Sequence, residues 1–125
     1  MKKTILNCAA AYNLSGGFAI VFFLDALAPL VGLPLGMNML FRHFVGGTAV
    51  IFGVAYSQLA RSGNHGSPLL MYGTTLKYWA FVASLFSYWK FGLSVTMVLL
   101  FGVPYLIFAV LFTRMLLSTS EKGTG

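Results

Sequence analysis

Apolar residues run along this chain in four stretches, about 6–29, 38–60, 68–89 and 93–116, with polar residues gathered in the gaps. Each stretch supplies the roughly 20 residues that an α-helix needs to cross a bilayer. Pro29, Gly32, Pro34 and Gly36 are expected to stop the first helix and form a tight hairpin, because proline ends a helix at or before the residue preceding it. Asn38 is placed to cap the second helix. Arg61 to Pro68, "RSGNHGSP", is the clearly polar loop, with Ser67 as an N-cap and Pro68 at the first helical position. Trp89 to Ser94 turns the third helix into the fourth, Pro104 should kink the fourth, and the polar tail 117–125 is expected to fray. The predicted fold is all-α: one domain of four transmembrane helices in an antiparallel bundle.

Within the apolar runs the polar and small residues keep to one face. Arg42, Gly46, Ala49, Gly53 and Tyr56 follow a 4-3-4-3 spacing, as do Gly73, Lys77, Ala80, Ser84 and Ser87. Asn13, Gly17 and Asp25 share a face of the first helix, and Gly102, Tyr105 and Ala109 one of the fourth. Small residues let helix backbones approach where lipid provides no hydrophobic drive. The four stripes are therefore expected to meet, turning the ionisable groups inward and leaving Leu, Phe and Val outside. "GGFAIVFF" at 16–23 is also faintly echoed by "GGTAVIFG" at 46–53.

Composition supports lipid as the solvent. Of the 125 residues, 58% are hydrophobic and 8% charged, where a soluble domain carries about a quarter charged. The net charge of +6 comes from scattered Lys and Arg with no basic face left over for phosphates, so nucleic acid is not an expected partner. Lys2, Lys3, Arg61, Arg114 and Lys122 fall on one side of a four-pass arrangement, and Arg42 and Lys90 on the other. By the positive-inside rule both termini are cytoplasmic. Tyr88, Trp89 and Lys90 read as an interfacial anchor, with Tyr56 and Tyr72 in the same role at the inner side. Cys8, the single cysteine, excludes an internal disulfide and is expected to be a buried small residue rather than an acylation site.

Two acids occur, Asp25 and Glu121, and Glu121 lies in the tail. Asp25 and Arg42 both sit about one turn inside the outer end, on helices joined by a short hairpin, so an ion pair between them is expected. Lys77 has no evident carboxylate and lies roughly 12–15 Å from the inner end, at the depth of Tyr12 and Asn13. It either snorkels to the cytoplasmic side or is held by Asn13, by carbonyls or by a ligand. Asp25, Arg42 and Lys77 leave the interior formally positive by one charge, which suits a quinone carbonyl, a fatty-acid carboxylate or a lipid phosphate better than a cation. The candidate ligand-contacting residues are Asp25, Arg42, Lys77, Asn13, His43 and Tyr105.

Other chemistry drops out. His43 near the outer face and His65 in the inner loop cannot share one haem iron, and no cluster has metal-ligand spacing. Nucleotide-binding loops and a Ser-His-carboxylate set are absent, so autonomous catalysis is not expected. The chain resembles the DoxX-like group of small four-helix bacterial membrane proteins in "AAYNLSGGF", "APLVGLPLG", "LFRHFVGGTAVIFGVAY", "MYGTTLKYWAF" and "YLIFAVLFTRML". It departs from the group where Pro104-Tyr105 stands in place of an acidic residue before "IFAVLF". The resemblance implies a bacterial inner-membrane protein that partners a redox system, some relatives being linked to quinone-coupled oxidoreductases. The resulting expectation is an accessory or anchor subunit that binds a quinone or lipid beside other membrane subunits or copies of itself. A small oligomeric transporter or channel using Asp25, and a purely structural interaction protein, are the alternatives.

Overall fold

The structure, a computed structural model, describes residues 2–32, 39–63 and 68–124, with side chains in these ranges except at 39 and 119–124. Every regular element among them is helical: α1 (Lys2–Phe22), α2 (Leu24–Val31), α3 (Met39–Ser62), α4 (Pro68–Phe91), α5 (Val95–Met97), a π-turn (Val98–Gly102) and α6 (Val103–Thr124). Pro68 opens α4, as its missing N–H and fixed φ favour. The expected roles of Pro34, Gly36, Asn38, His65 and Ser67 lie outside the described residues.

Two of the expected helices depart from regular α-helix, and each departure has a side chain at the carbonyl concerned. The first span is not one continuous helix: it breaks at Phe23 (φ −122°, ψ 10°) and resumes as α2, which contains Pro29 and ends at Val31. The Ile20 carbonyl, whose ordinary helical partner would be the Leu24 N–H just past the bend, accepts a hydrogen bond from Arg42 Nε at 2.9 Å. In the last span the expected proline kink takes the form of a π-turn just before Pro104. Proline has no N–H for the carbonyl four residues back, that of Leu100, and the Tyr12 hydroxyl donates to that oxygen at 2.8 Å. The tail expected to fray continues instead as α6 to Thr124, since no proline follows Pro104 and glycine first recurs at Gly123.

The turn ends are fixed in a similar way. Gly32 closes α2 in the left-handed conformation (φ 75°), and a Cβ there would come within 2.8 Å of Ser94 Cβ. Ser94 donates from Oγ to the Val31 carbonyl at 2.5 Å and accepts from the Met97 N–H at 3.2 Å. One hydroxyl thus terminates α2 and caps α5.

Packing divides the molecule into two helix pairs, α1 with α3 and α4 with α6, with sparser contact between the pairs. The paired glycines of the internal echo mark the first crossing. A Cβ on Gly17 would meet the Gly46 carbonyl at 2.7 Å, and one on Gly46 would meet that of Gly17 at 2.9 Å. Gly16 and Gly47 face open space. Gly53 lies against Leu14 in the same pair, and Gly102 against the Ser84 hydroxyl in the other. The small-residue stripes of α3 and α4 are therefore buried seams, as their spacing predicts.

All four long helices meet at one end, where Leu6, Ala9, Ala10, Tyr56, Leu59, Ala60, Leu70, Phe112 and Met115 form a closed core. These residues come from the start of α1 and α4 and the far part of α3 and α6, so neighbouring helices alternate in direction. Tyr56 belongs to this core and is fully buried, not an interfacial anchor. Cys8 is exposed rather than buried. The outer surface is apolar, with Phe41, Phe44, Ile51, Trp79, Val82 and Phe86 among the many exposed hydrophobics. Among the described residues two segments are long and apolar enough to cross a membrane, Lys2–Phe22 and Val95–Ser118, and both are mainly exposed.

Candidate functional site

Arg42 and Lys77 turn inward from the buried faces of α3 and α4, but they sit in two separate groupings. The Arg42 guanidinium is buried, and its Nη1 reaches both carboxylate oxygens of Asp25 at 3.1 Å. The expected pair is therefore present. Asp25, however, is not inward: its side chain is 81% exposed, because α2 past the Phe23 bend presents it at the rim. This pair lies about 10 Å along α3 from Ala49, two turns away. His43 is exposed next to it in sequence, off the buried stripe.

Ala49 marks the level of the second grouping. Lys77 is 1% exposed, so its stem does not snorkel to the surface. Its Nζ donates to Asn13 Oδ1 at 3.2 Å, and Asn13 Nδ2 donates to the Ala49 carbonyl at 3.4 Å. Four rings enclose the rest of the nitrogen: Tyr105 at 4.5 Å to the centroid, Tyr56 at 5.0 Å, Phe108 at 5.4 Å and Phe112 at 5.6 Å. Such contacts are worth on the order of 1–2 kcal/mol each when water is excluded. They replace the hydration that Lys77 gives up, a role for which no carboxylate is present among the described residues around it.

Spacing singled out two of the four cage rings, Tyr56 and Tyr105, but not Phe108 and Phe112. Tyr56 completes the α3 stripe, while Phe108 and Phe112 lie one turn apart on α6, a four-residue interval visible in the sequence. The Tyr56 hydroxyl is buried against Gly73 and has no hydrogen-bond partner among the described residues. Tyr12 joins from α1, its ring edge-on to Tyr105 at 5.6 Å.

Two apolar clefts open where the helix pairs separate. The larger, about 290 Å³, lies between α1–α2 and the α5–π segment, bordered by Gly16, Leu24, Leu27, Met97 and Leu100. The smaller, about 200 Å³, lies between α3 and α4, bordered by Phe44, Thr48, Phe52, Leu76 and Ala80. Both reach Asn13, Ile20, Ala49, Phe101 and Tyr105. Asn13 and Tyr105 are thus the polar residues common to both clefts, and the Tyr105 hydroxyl makes no hydrogen bond among the described residues. Of the six candidate ligand residues, the structure brings Asn13, Lys77 and Tyr105 together and leaves Asp25, Arg42 and His43 elsewhere.

No metal-binding group of His, Cys, Asp and Glu occurs among the described residues. No family model, curated protein or solved structure matches the chain.

Proposed function

We propose that this is a multi-pass membrane protein that binds a lipid-soluble, acceptor-bearing ligand, a quinone or a lipid, at the Asn13–Tyr105 junction. The observation that carries the reading is the pair of apolar clefts that end on hydrogen-bond donors backed by a caged lysine. Donors without matching acceptors call for a carbonyl or similar oxygen from the occupant. Four crossings are supported by length: α3 and α4, with 24 residues each, extend about 36 Å, beyond a hydrocarbon core of about 30 Å. Their mean hydropathy is lowered by Arg42, Arg61, Lys77 and the Tyr and Trp residues of α4, most of which fit seams or interfaces. The Trp89 ring under Lys90 Nζ at 5.6 Å suits an interfacial girdle.

The protein would act as an accessory or anchor subunit in the bacterial inner membrane, in keeping with the DoxX-like resemblance. Asp25 fits a structural part better than a transport part, because Arg42 already holds both its oxygens. Purification in mild detergent followed by native mass spectrometry tests the proposal. The expected result is the protein carrying a quinone or lipid, or a co-purifying membrane partner. Recovery of the bare chain with neither would refute it.

A further inference from the structure

The junction where the two clefts meet separates the ligand from the one nitrogen that would attract an acid. Lys77 borders neither cleft; of the groups around its Nζ, Asn13 and the Tyr105 ring are the ones that line both clefts. The polar lining of the clefts is neutral throughout: the Asn13 amide, the Tyr12 and Tyr105 phenols, and Ser15 and Thr48, of which Tyr12, Ser15 and Thr48 already donate to backbone carbonyls. A neutral donor pair can hold a carbonyl but cannot offset the removal of a carboxylate or phosphate from water to the depth of the membrane. Lys77 nevertheless acts on the site. Its hydrogen bond to Asn13 Oδ1 polarises the amide and strengthens the opposite N–H, of which one hydrogen is left over after the bond to Ala49. Its position over the Tyr105 ring, the shortest of the four at 4.5 Å, fixes that ring and aims the hydroxyl.

From this geometry we infer that the site selects a neutral carbonyl lipophile over an acid, with Asn13 and Tyr105 contacting the carbonyl and Lys77 acting through them as a positioning residue. The inference rests on the ligand-binding reading above and deepens it by choosing the ligand class. The planar ring and carbonyl of a quinone, or the ester or ketone of an uncharged lipid, belong to that class; fatty acids and phosphorylated headgroups do not. Two clefts on either side of one junction also favour a molecule with apolar parts flanking its polar centre.

The test uses the full chain in nanodiscs with two probes, decylubiquinone labelled with ¹³C at a ring carbonyl, and oleate. Binding is titrated, and isotope-edited infrared spectroscopy reads the labelled carbonyl. Saturable binding of the quinone with a lowered carbonyl stretch is expected, with about tenfold weaker binding in both Tyr105→Phe and Asn13→Leu, one net hydrogen bond each. In Lys77→Met the quinone should bind more weakly and the carbonyl stretch should move back toward its free value. Lys77→Gln, which keeps a donor for Asn13, should restore part of the shift. Tyr105→Phe removes one cleft-lining hydroxyl that bonds to no described residue and keeps the ring, so it reports even where the Lys77 variants fail to fold. Oleate binding that exceeds quinone binding and vanishes in Lys77→Met would overturn the inference while leaving a lipid-binding protein. So would quinone binding indifferent to Tyr105→Phe. Failure of both probes to bind would instead remove the ligand-binding reading itself.

Discussion

Arg42 serves two acceptors at once, and this decides how its loss should differ from that of Asp25. Its Nε holds the Ile20 carbonyl at the bend of the first span, and its Nη1 holds the carboxylate. Arg42→Met frees both, leaving an exposed carboxylate at the rim and a backbone carbonyl without its donor, and should cost about 2–3 kcal/mol, mostly from the carbonyl. Asp25→Asn keeps an oxygen for Nη1 and keeps the Ile20 contact, so about 1–2 kcal/mol is expected. The exposed position of Asp25 also lets its carboxylate find other partners when Arg42 is gone. In the double variant Asp25→Ala/Arg42→Met, no charge is left unpaired, and stability should recover to within about 1–2 kcal/mol of the parent. Unfolding in detergent titrations, compared across the three variants, measures this. A double variant as unstable as Arg42→Met would mean that the ion pair is incidental and the Ile20 contact carries the whole effect. The pair was legible in the sequence because the apolar runs contain one acid and few residues separate its helix from that of Arg42. The outward turn of Asp25 was not, because it follows from the Phe23 bend, which no Gly or Pro at that position announces.

The last span shows how an element absorbs a proline. Pro104 leaves Leu100 without its usual donor, the π-turn rearranges the neighbouring bonds, and Tyr12 from another helix supplies the missing one. The two residues are thereby coupled. Tyr12→Phe should cost about 1 kcal/mol in the parent protein, since a carbonyl in an apolar setting loses its partner. In a Pro104→Ala background the backbone N–H returns, the Leu100 oxygen is satisfied within the helix, and Tyr12→Phe should be nearly neutral. A double-mutant cycle by thermal unfolding checks the coupling, and equal costs in the two backgrounds would show that Tyr12 acts through its ring contacts alone. The proline was a sufficient sequence signal for the kink, whereas its donor could not be read, because nothing in local spacing ties residue 12 to residue 100. The glycine stripes were legible for the opposite reason. Gly17 and Gly46 follow from periodicity within one helix, and each helix needs its close contact wherever its partner lies.

At the scale of the whole molecule, closure at one end and separation at the other arise from the same sequence asymmetry. The closed end collects Leu6, Leu59, Leu70 and Phe112 from all four long helices, while the other end holds the bend, the π-turn and the clefts. Small residues pull helices together in pairs, yet between the pairs the seam is lined by Phe101 and Tyr105, too bulky for close approach. The sequence revealed the pairs through their stripes. The clefts stayed hidden because they depend on how two pairs are set against each other. If the four long helical segments cross a membrane, Gly63 after α3 and Gly92 after α4 must lie on opposite sides, and the weight of Lys and Arg assigns Gly63 to the cytoplasm. Both glycines have positive φ and open space around them, so a cysteine there adds backbone strain but no collision. In a Cys8→Ser background, a membrane-impermeant thiol reagent applied to intact cells should label Gly92→Cys and not Gly63→Cys, with inverted vesicles giving the converse. Labelling of both from one side would reduce the protein to two crossings by the first and last spans. It would put α3 and α4 on a single side of the membrane, where the apolar exterior of Phe41, Phe44, Ile51, Trp79 and Phe86 would need a protein partner in place of lipid.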